Sequence, residues 1–238
     1  MPSIYSSDPD LLVHYGPTLD PRLERFRRVV LQPGRATRQR LASLSVAGTT
    51  PYAYLSLGED PGPTAPWHRP RRNAWWGGAY VRADHPGWRR TVLEGAWRSV
   101  HAGFGGVFLD TLDVPTLFPE ELEPMLRLVR DLRMLLGDRP ILANRGLHAC
   151  AALAPWVDGF VFEGFSTTWV SGYTALTTRQ LLEHADLLRT VQATGLPVYA
   201  LDYADRPELA RFARARARTH GLPSQVADRD LTCLPDRA

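Results

Sequence analysis

The chain has 238 residues, of which 44% are hydrophobic and 22% are charged, a composition typical of globular proteins. It contains no lysine, so all 28 basic residues are arginine. This excludes Schiff-base aldolases, pyridoxal-phosphate enzymes and Walker-type nucleotide sites, which need a lysine amine. The two cysteines, Cys150 and Cys233, are too few for a disulfide scaffold and lack CxxC spacing. The formal charge of +3 is spread over scattered arginines, so we expect no nucleic-acid partner.

No apolar run approaches the ~18 residues of a membrane span, and we expect no membrane association. The opening MPSIYSSDPD has neither the basic region nor the apolar core of a signal peptide, so the sequence predicts no leader and leaves the compartment open. The histidines show no HxH or HExxH spacing, which predicts neither a metal site nor a cofactor. We expect one domain over residues 1–238 and a monomer.

Short apolar runs alternate with segments of helical period along the chain. The runs predict strands at residues 11–15, 29–32, 52–57, 106–110, 141–144, 160–163, 198–202 and 225–227. The helical patterns lie at residues 37–47, 87–102, 119–136, 147–154, 178–194 and 207–220. About eight βα units favour the α/β class and a single (β/α)8 barrel over an open parallel sheet.

The segment 60–86, after the third predicted strand, interrupts this alternation. It is rich in Pro, Gly, Trp and Arg and has no helical period, which predicts a long loop without regular structure. In a barrel, the loops on that side of the strands build the substrate site. Five aromatic residues in this loop or near other strand ends are predicted to contact substrate: Tyr15, Trp75, Trp76, Trp169 and Tyr203.

Polar residues follow most of the predicted strands. Because the carboxyl ends of parallel strands meet at one rim of a barrel, these side chains are expected to converge. Glycosidic bond cleavage needs two such carboxylates, one to protonate the leaving oxygen and one to attack the sugar or activate water. The predicted rim residues are Glu59, Asp60, Asp110, Asp113, Asn144, Arg145, Glu163 and Asp202.

Several of these residues also have structural interpretations. Asp110 is a candidate turn cap, although its glycine-rich, apolar context favours catalysis. Glu59 and Asp202 stay open between contacting substrate and supporting the rim. Arg145 is expected to hold a neighbouring carboxylate by a bidentate pair and so decide which acid ionises. Asp113 either binds an amino or hydroxyl group or caps a turn.

Six blocks, in this order along the chain, resemble glycoside hydrolase family 114: YLSLGE, HPGW, GVFLDTLD, ILANRG, VFEGF and ALDYA. The resemblance extends from about residue 15 to residue 231. The family's named activity is endo-α-1,4-polygalactosaminidase, so the resemblance implies a (β/α)8 fold and endo-acting hydrolysis of an α-1,4-linked polysaccharide containing galactosamine. By position in the motifs, the catalytic pair carried over is Asp110 and Glu163.

Analogy with α-glycosidase barrels assigns Asp110 as the nucleophile or electrostatic stabiliser and Glu163 as the proton donor, with Phe162 and Phe165 raising the pKa of Glu163. Two alternatives remain: a catalytically inactive carbohydrate-binding barrel, and a glycosidase acting on a neutral α-glycan. A phosphosugar isomerase or aldolase is disfavoured, because DYADRPE and VADRD stand where a glycine-rich phosphate loop is needed.

Overall fold

The computed structural model describes residues 6–7 and 10–235, and its centre is a cylinder of eight parallel strands. Each strand pairs with the next along the chain, which confirms the (β/α)8 class. A two-residue strand, Ser6–Ser7, pairs antiparallel with the last one. The strands are β1 (Leu12–Val13), β2 (Arg28–Leu31), β3 (Thr50–Ser56), β4 (Gly106–Asp110), β5 (Ile141–Asn144), β6 (Gly159–Glu163), β7 (Val198–Tyr203) and β8 (Ser224–Ala227).

Six α-helices surround the strands, close to the predicted positions. The β1–β2 connection contains only a 3₁₀ turn, Pro21–Arg25, and the predicted helix at 147–154 begins as a 3₁₀ turn, so its α part is short. Gly103 ends the second helix with φ of 116°, a left-handed conformation that favours glycine. The helices are α1 (Arg38–Val46), α2 (Pro86–Ala102), α3 (Leu122–Leu136), α4 (Cys150–Leu153), α5 (Thr178–Gln192) and α6 (Pro207–Thr219).

Side chains alternate along each strand between the barrel interior and the helix layer. On β4, Phe108 packs in the interior cluster, whereas Val107 and Leu109 pack in the outer cluster with the helices. The same alternation turns Asp110 inward at the carboxyl end of β4. A rim residue can therefore reach the mouth of the barrel only if it occupies an inward-facing position in this alternation.

The barrel closes between β1 and β8 through a side chain. The Val13 N–H donates to Gln225 Oε1 at 2.7 Å, and Gln225 Nε2 donates to the Val13 carbonyl at 2.9 Å. The Gln225 amide thus pairs with the backbone as a neighbouring strand would. It is buried, so water cannot replace these bonds.

Replacing Gln225 by alanine is expected to leave two buried backbone groups of Val13 without partners. Because an unsatisfied buried polar group costs about 1–3 kcal/mol, we expect the free energy of unfolding to fall by about 2 kcal/mol and the Tm to fall by about 4–8 °C. Differential scanning calorimetry measures this, with Gln39→Ala on the exposed face of α1 as the matched control. Equal Tm values for the two variants would contradict the assigned role.

The segment 60–86 is more ordered than the sequence predicts. It contains most of a three-stranded antiparallel sheet made of Glu59–Asp60, His68–Arg72 and Ala79–Val81. Asp60 organises it, since its Oδ2 accepts from Trp67 Nε1 at 2.8 Å and lies 2.8 Å from His68 Nε2. The sequence did not indicate these strands, because they are short and rich in arginine and lack the apolar alternation of a buried strand. Asp60 is a structural residue.

Candidate active site

A cleft of about 620 Å³ opens at the carboxyl ends of the barrel strands. Eleven of the twelve residues predicted for catalysis or substrate binding line it, together with others that the sequence did not indicate. Of the predicted set, Asp202 alone does not line the cleft. The predicted residues in the lining are Tyr15, Glu59, Trp75, Trp76, Asp110, Asp113, Asn144, Arg145, Glu163, Trp169 and Tyr203.

Two carboxylates face each other at the floor of the cleft and share one amide. Asn144 Nδ2 donates to Asp110 Oδ1 at 2.8 Å and to Glu163 Oε2 at 2.7 Å. The three residues end β4, β5 and β6, which are adjacent strands, so the sheet itself sets their order. Two oxygens bonded to one nitrogen at these distances lie no more than about 5.5 Å apart.

Each carboxylate also accepts a hydrogen bond from a tyrosine. Tyr54 Oη donates to Asp110 Oδ2 at 2.8 Å, and Tyr203 Oη donates to Glu163 Oε1 at 2.7 Å. Burial and the nearby carboxylates raise the pKa of both phenols well above the ordinary value, so both stay protonated donors. Tyr15 packs edge-on against Tyr54, with 5.3 Å between ring centroids.

Arg145 links two acids of the cleft. Its Nε donates to Glu163 Oε2 and its Nη1 donates to Asp113 Oδ2, both at 3.1 Å. Its backbone has φ of +62°, which is rare for a residue with a side chain and marks local strain. The prediction that Arg145 holds a carboxylate agrees with these bonds, although it bridges two acids rather than gripping one.

Asp110 and Glu163 differ in pKa because, among the described residues, Glu163 forms an ion pair and Asp110 does not. Burial favours the neutral form of Glu163, but Arg145 and the donors Asn144 and Tyr203 outweigh it and lower the pKa to about 2. Burial and the charge of Glu163 raise the pKa of Asp110 to about 6. As the pH falls, Asp110 therefore takes up a proton before Glu163 does.

This distribution is opposite to the predicted one, in which apolar neighbours raise the pKa of Glu163. Phe162 follows the strand alternation and points away from the cleft, packing against Phe165 with ring centroids 5.1 Å apart. Its ring therefore does not surround the Glu163 carboxylate, which meets Arg145 instead.

Thr111, directly after Asp110, has a strained backbone with φ of +62°. Its N–H donates to Asp110 Oδ1 at 2.8 Å, and its hydroxyl oxygen accepts from the Gly58 N–H at 2.6 Å. The turn after β4 is thus tied to the turn after β3. Such ties hold the Asp110 carboxylate in one orientation despite the local strain.

Glu59 lines the same cleft as Asp110. The Ser56 hydroxyl donates to the Glu59 carbonyl at 2.7 Å, and Ser56 is paired in register with Asp110. Asn73 Nδ2 donates to Glu59 Oε1 at 2.7 Å. Burial raises the pKa of the half-buried Glu59 carboxyl, with Asp110 and Asp113 adding to the effect and the bond from Asn73 opposing it.

An aromatic bridge joins three loops over one side of the cleft. The Arg229 guanidinium lies over the rings of Trp76 and Trp169, at 4.6 and 4.3 Å from their centroids. Trp75 meets Trp169 edge-on at 5.7 Å, and Arg229 Nη2 donates to the Trp75 carbonyl. The tryptophans therefore lie at the cleft as predicted, but Arg229 already covers faces of Trp76 and Trp169.

Asp202 does not reach the cleft, which corrects its prediction as a substrate-binding residue. It is 1% exposed, and its Oδ1 accepts from the N–H groups of Ser166 and Thr167 at 2.7 and 2.8 Å. Because β7 continues to Tyr203 and turns Tyr203 inward, alternation turns Asp202 outward. Asp202 instead fixes the loop between Glu163 and Trp169.

Sequence reasoning missed Tyr54, Asn73 and Arg229. The inward alternation of Tyr52 and Tyr54 on β3 was a usable signal for the first. The other two come from the segment 60–86 and the turn after β8, where no periodicity predicts which way a side chain points. Their roles depend on contacts between distant loops.

No known protein-family model matches the sequence. An uncharacterised protein of Deinococcus radiodurans is 25% identical over 208 residues, which span 76% of this chain and 65% of that protein. The glycoside hydrolase domain of PelA from Pseudomonas aeruginosa superposes with a TM-score of 0.85 and 26% identity, covering 94% of this chain and 96% of the domain. This similarity supports the resemblance of the chain to the barrels of glycoside hydrolase family 114.

Two more distant structures share the barrel fold of this chain. Aspergillus fumigatus Ega3, solved in complex with galactosamine, has a TM-score of 0.74 and 13% identity, covering 95% of this chain and 92% of Ega3. An α-galactosidase from Thermus thermophilus has a TM-score of 0.65 and 15% identity, covering 99% of this chain and 60% of that enzyme. The similarity to the PelA domain supports a glycosidase function.

Over residues 6–7 and 10–235, the barrel brings together no group of three His, Cys, Asp or Glu side chains able to hold a metal ion. No helix in the same ranges is long and apolar enough to cross a membrane.

Proposed function

We propose that the protein is an endo-acting glycosidase that cleaves an α-1,4-linked, galactosamine-containing polysaccharide, with Asp110 and Glu163 as its catalytic pair. The observation that carries the proposal is the pair of facing carboxylates held by the Asn144 amide at the floor of a large cleft. Glycoside hydrolysis requires such a pair on the two sides of the anomeric carbon. Similarity to the PelA glycoside hydrolase domain supports the reaction class.

The spacing of the pair favours hydrolysis with retention of configuration. Retaining enzymes hold their two carboxyl groups about 5–5.5 Å apart, whereas inverting enzymes need about 6.5–9.5 Å to admit a water molecule. The shared Asn144 nitrogen keeps the nearest oxygens within about 5.5 Å. We therefore propose that one acid forms a glycosyl–enzyme bond while the other first donates and then accepts the proton.

Two assignments of these roles follow from different observations. Analogy with α-glycosidase barrels makes Asp110 the nucleophile and Glu163 the proton donor. The electrostatics of the free protein favour the reverse, because Arg145 keeps Glu163 ionised and Asp110 has the higher pKa. Under the first assignment, a cationic sugar beside Asp110 has to stabilise its ionised form and move the proton to Glu163.

The charge of the cleft supports a cationic substrate. Five acids line it, whereas the chain as a whole has a formal charge of +3. Galactosamine without its acetyl group carries an ammonium that these acids attract. Arg145 and Arg229 also line the cleft, but the first is paired with acids and the second is stacked on tryptophans. The five acids are Glu59, Asp110, Asp113, Glu163 and the exposed Asp230.

The proposal is tested by incubating the protein with de-N-acetylated α-1,4-galactosaminan, neutral α-glucan and chitosan, and measuring new reducing ends and product masses. We expect oligomers of several lengths from galactosaminan alone. Proton NMR at early times is expected to show the α-anomer at the new reducing end, because retention preserves the linkage configuration. Cleavage of α-glucan alone would assign a neutral substrate, and binding without cleavage of any polymer would indicate a carbohydrate-binding barrel.

A further inference from the structure

We propose that Glu59, together with the turn that carries Trp75 and Trp76, recognises the free 2-amino group of a substrate sugar beside the catalytic pair and so selects de-N-acetylated residues. The inference rests on the proposed function, because it assigns a determinant of specificity within the same cleft. It names the chemistry that is recognised: an ammonium group on a hexosamine ring.

The first argument is the pairing of charges in the cleft. Asp113 and Glu163 share the guanidinium of Arg145. Asp110 has no cationic partner in the described chain and belongs to the catalytic pair. Glu59 also forms no ion pair among the described residues, and the nearest cationic influence on it is the same, already paired Arg145. Glu59 is thus the half-buried acid of the cleft that lacks both a cation and a catalytic role.

An unpaired carboxylate in this position is costly, and a bound cation removes the cost. Half-burial takes Glu59 partly out of water, and the charges of Asp110 and Asp113 oppose its ionisation. A substrate ammonium supplies the missing opposite charge at a site already short of water. An N-acetylated sugar has no charge there, so it leaves the carboxylate unpaired and adds bulk. Charge and size therefore both favour the sugar with a free amino group over the N-acetylated sugar.

The second argument is that the carboxylate and an aromatic surface are held in one rigid unit. The Asn73 side chain joins them: its Nδ2 donates to Glu59 Oε1, and its Oδ1 accepts from the backbone N–H groups of Trp75 and Trp76, at 2.8 and 3.3 Å. Trp75 is 51% exposed at the cleft, so its ring has accessible surface for a sugar. The backbone of Glu59 is fixed by pairing with Tyr80 in the loop sheet.

The position of Glu59 places this unit next to the reaction centre. Ser56, which donates to the Glu59 carbonyl, lies opposite Asp110 across the β3–β4 pair. A sugar whose amino group meets Glu59 therefore lies in the same cleft as Asp110, close enough for the two carboxylates to influence each other electrostatically. This location makes the contact a determinant of which bond is cleaved, beyond a general attraction of a basic polymer to an acidic surface.

The test compares binding of two oligosaccharides that differ only in acetylation: an α-1,4-galactosamine hexamer and the same hexamer after N-acetylation. Isothermal titration calorimetry uses the Glu163→Gln protein, with and without Glu59→Gln, so that the ligand is not hydrolysed. The glutamine keeps the size of the side chain and an oxygen for Asn73. We expect Glu59→Gln to raise the Kd of the amine hexamer at least about tenfold and to leave the Kd of the acetylated hexamer unchanged.

Glu94→Gln on the exposed face of α2 is the matched control for the loss of one negative charge, and it is expected to change neither Kd. Glu59→Asp keeps the charge and is expected to keep the preference for the amine hexamer, which provides a second variant if Glu59→Gln folds poorly. The inference is overturned if Glu59→Gln weakens both ligands equally or weakens neither. If the wild type releases no reducing ends but the binding preference depends on Glu59, the hydrolase proposal fails and the amine site stands.

Discussion

Asp110→Asn and Glu163→Gln are each expected to lower kcat on galactosaminan by about a thousandfold or more while leaving the fold intact. General acid–base catalysis alone contributes about 10²–10⁴, and an amide can neither attack the sugar nor transfer its proton. The amide is close in shape to the carboxylate it replaces, so Tyr54, Asn144 and Tyr203 keep neighbours of the same size. Initial rates of reducing-end release, with circular dichroism of each variant, measure both parts of the expectation.

Asp138→Asn and Glu94→Gln, both exposed, make the same chemical changes outside the cleft and are expected to retain wild-type rates. Near-normal activity in either cleft variant would remove that residue from the catalytic pair. A loss of activity accompanied by a lost near-ultraviolet dichroism signal would show a folding defect instead, and the rate would then have to be compared in variants that fold.

Azide rescue separates the two roles. In Asp110→Ala and Glu163→Ala, the deleted carboxylate leaves room for azide, and an activated aryl α-galactosaminide removes the need for a proton donor. If Glu163 is the acid/base, azide attacks the glycosyl–enzyme of Glu163→Ala and gives the α-azide, while Asp110→Ala gives the β-azide by direct attack. The opposite pattern would make Glu163 the nucleophile and Asp110 the acid/base, as the pKa values of the free protein favour.

Asp110→Asn is also expected to stabilise the protein at neutral pH although it abolishes activity. The pKa of Asp110 is raised from 3.8 to about 6 by burial and by Glu163, so its ionisation opposes folding. The stability that the protonated acid provides is complete below pH 3.8 and is lost as the pH rises through about 6. We expect the variant to gain about 2 kcal/mol, or about 4–8 °C in Tm, above pH 7.

Thermal unfolding of wild type and Asp110→Asn between pH 4 and pH 8 measures this difference. The gain is expected to shrink as the pH falls towards 4, because Asp110 is then protonated in the folded state and partly protonated in the unfolded state, where its pKa is 3.8. Asp138→Asn is the control and is expected to show no pH-dependent difference. A variant less stable than wild type at pH 8 would mean that the Asp110 carboxylate strengthens the fold through its hydrogen bonds more than its charge weakens it.

Opposite expectations for activity and stability at one residue are typical of an active site. Glu163 shows the complementary case, because Arg145 lowers its pKa to about 2 and its ionised form supports the fold. That contribution is present above about pH 4.5 and is lost as the pH falls through about 2. The pair thus combines one carboxylate that favours folding with one that opposes it, and the Asn144 amide holds the two together.

The sequence by itself determined the barrel and the identity of the central acids. Alternating apolar runs and helical periods specify parallel strands, and an acid at the end of a buried strand has to lie at the mouth of the barrel. Asp110 and Glu163 follow from this rule because their strands end where the periodicity ends. Asp202 does not, because β7 continues for one further residue, and a period of two turns its side chain to the outside.

Only the tertiary structure decided how these residues act on one another. The Asn144 bridge, the pairing of Arg145 with Glu163 and the stacking of Arg229 on Trp169 join side chains from different strands and loops. Local pattern predicts which way a strand residue points, but a pKa depends on distances between groups far apart in the chain. The order of the pKa values of Asp110 and Glu163 is therefore opposite to the prediction from neighbouring residues alone.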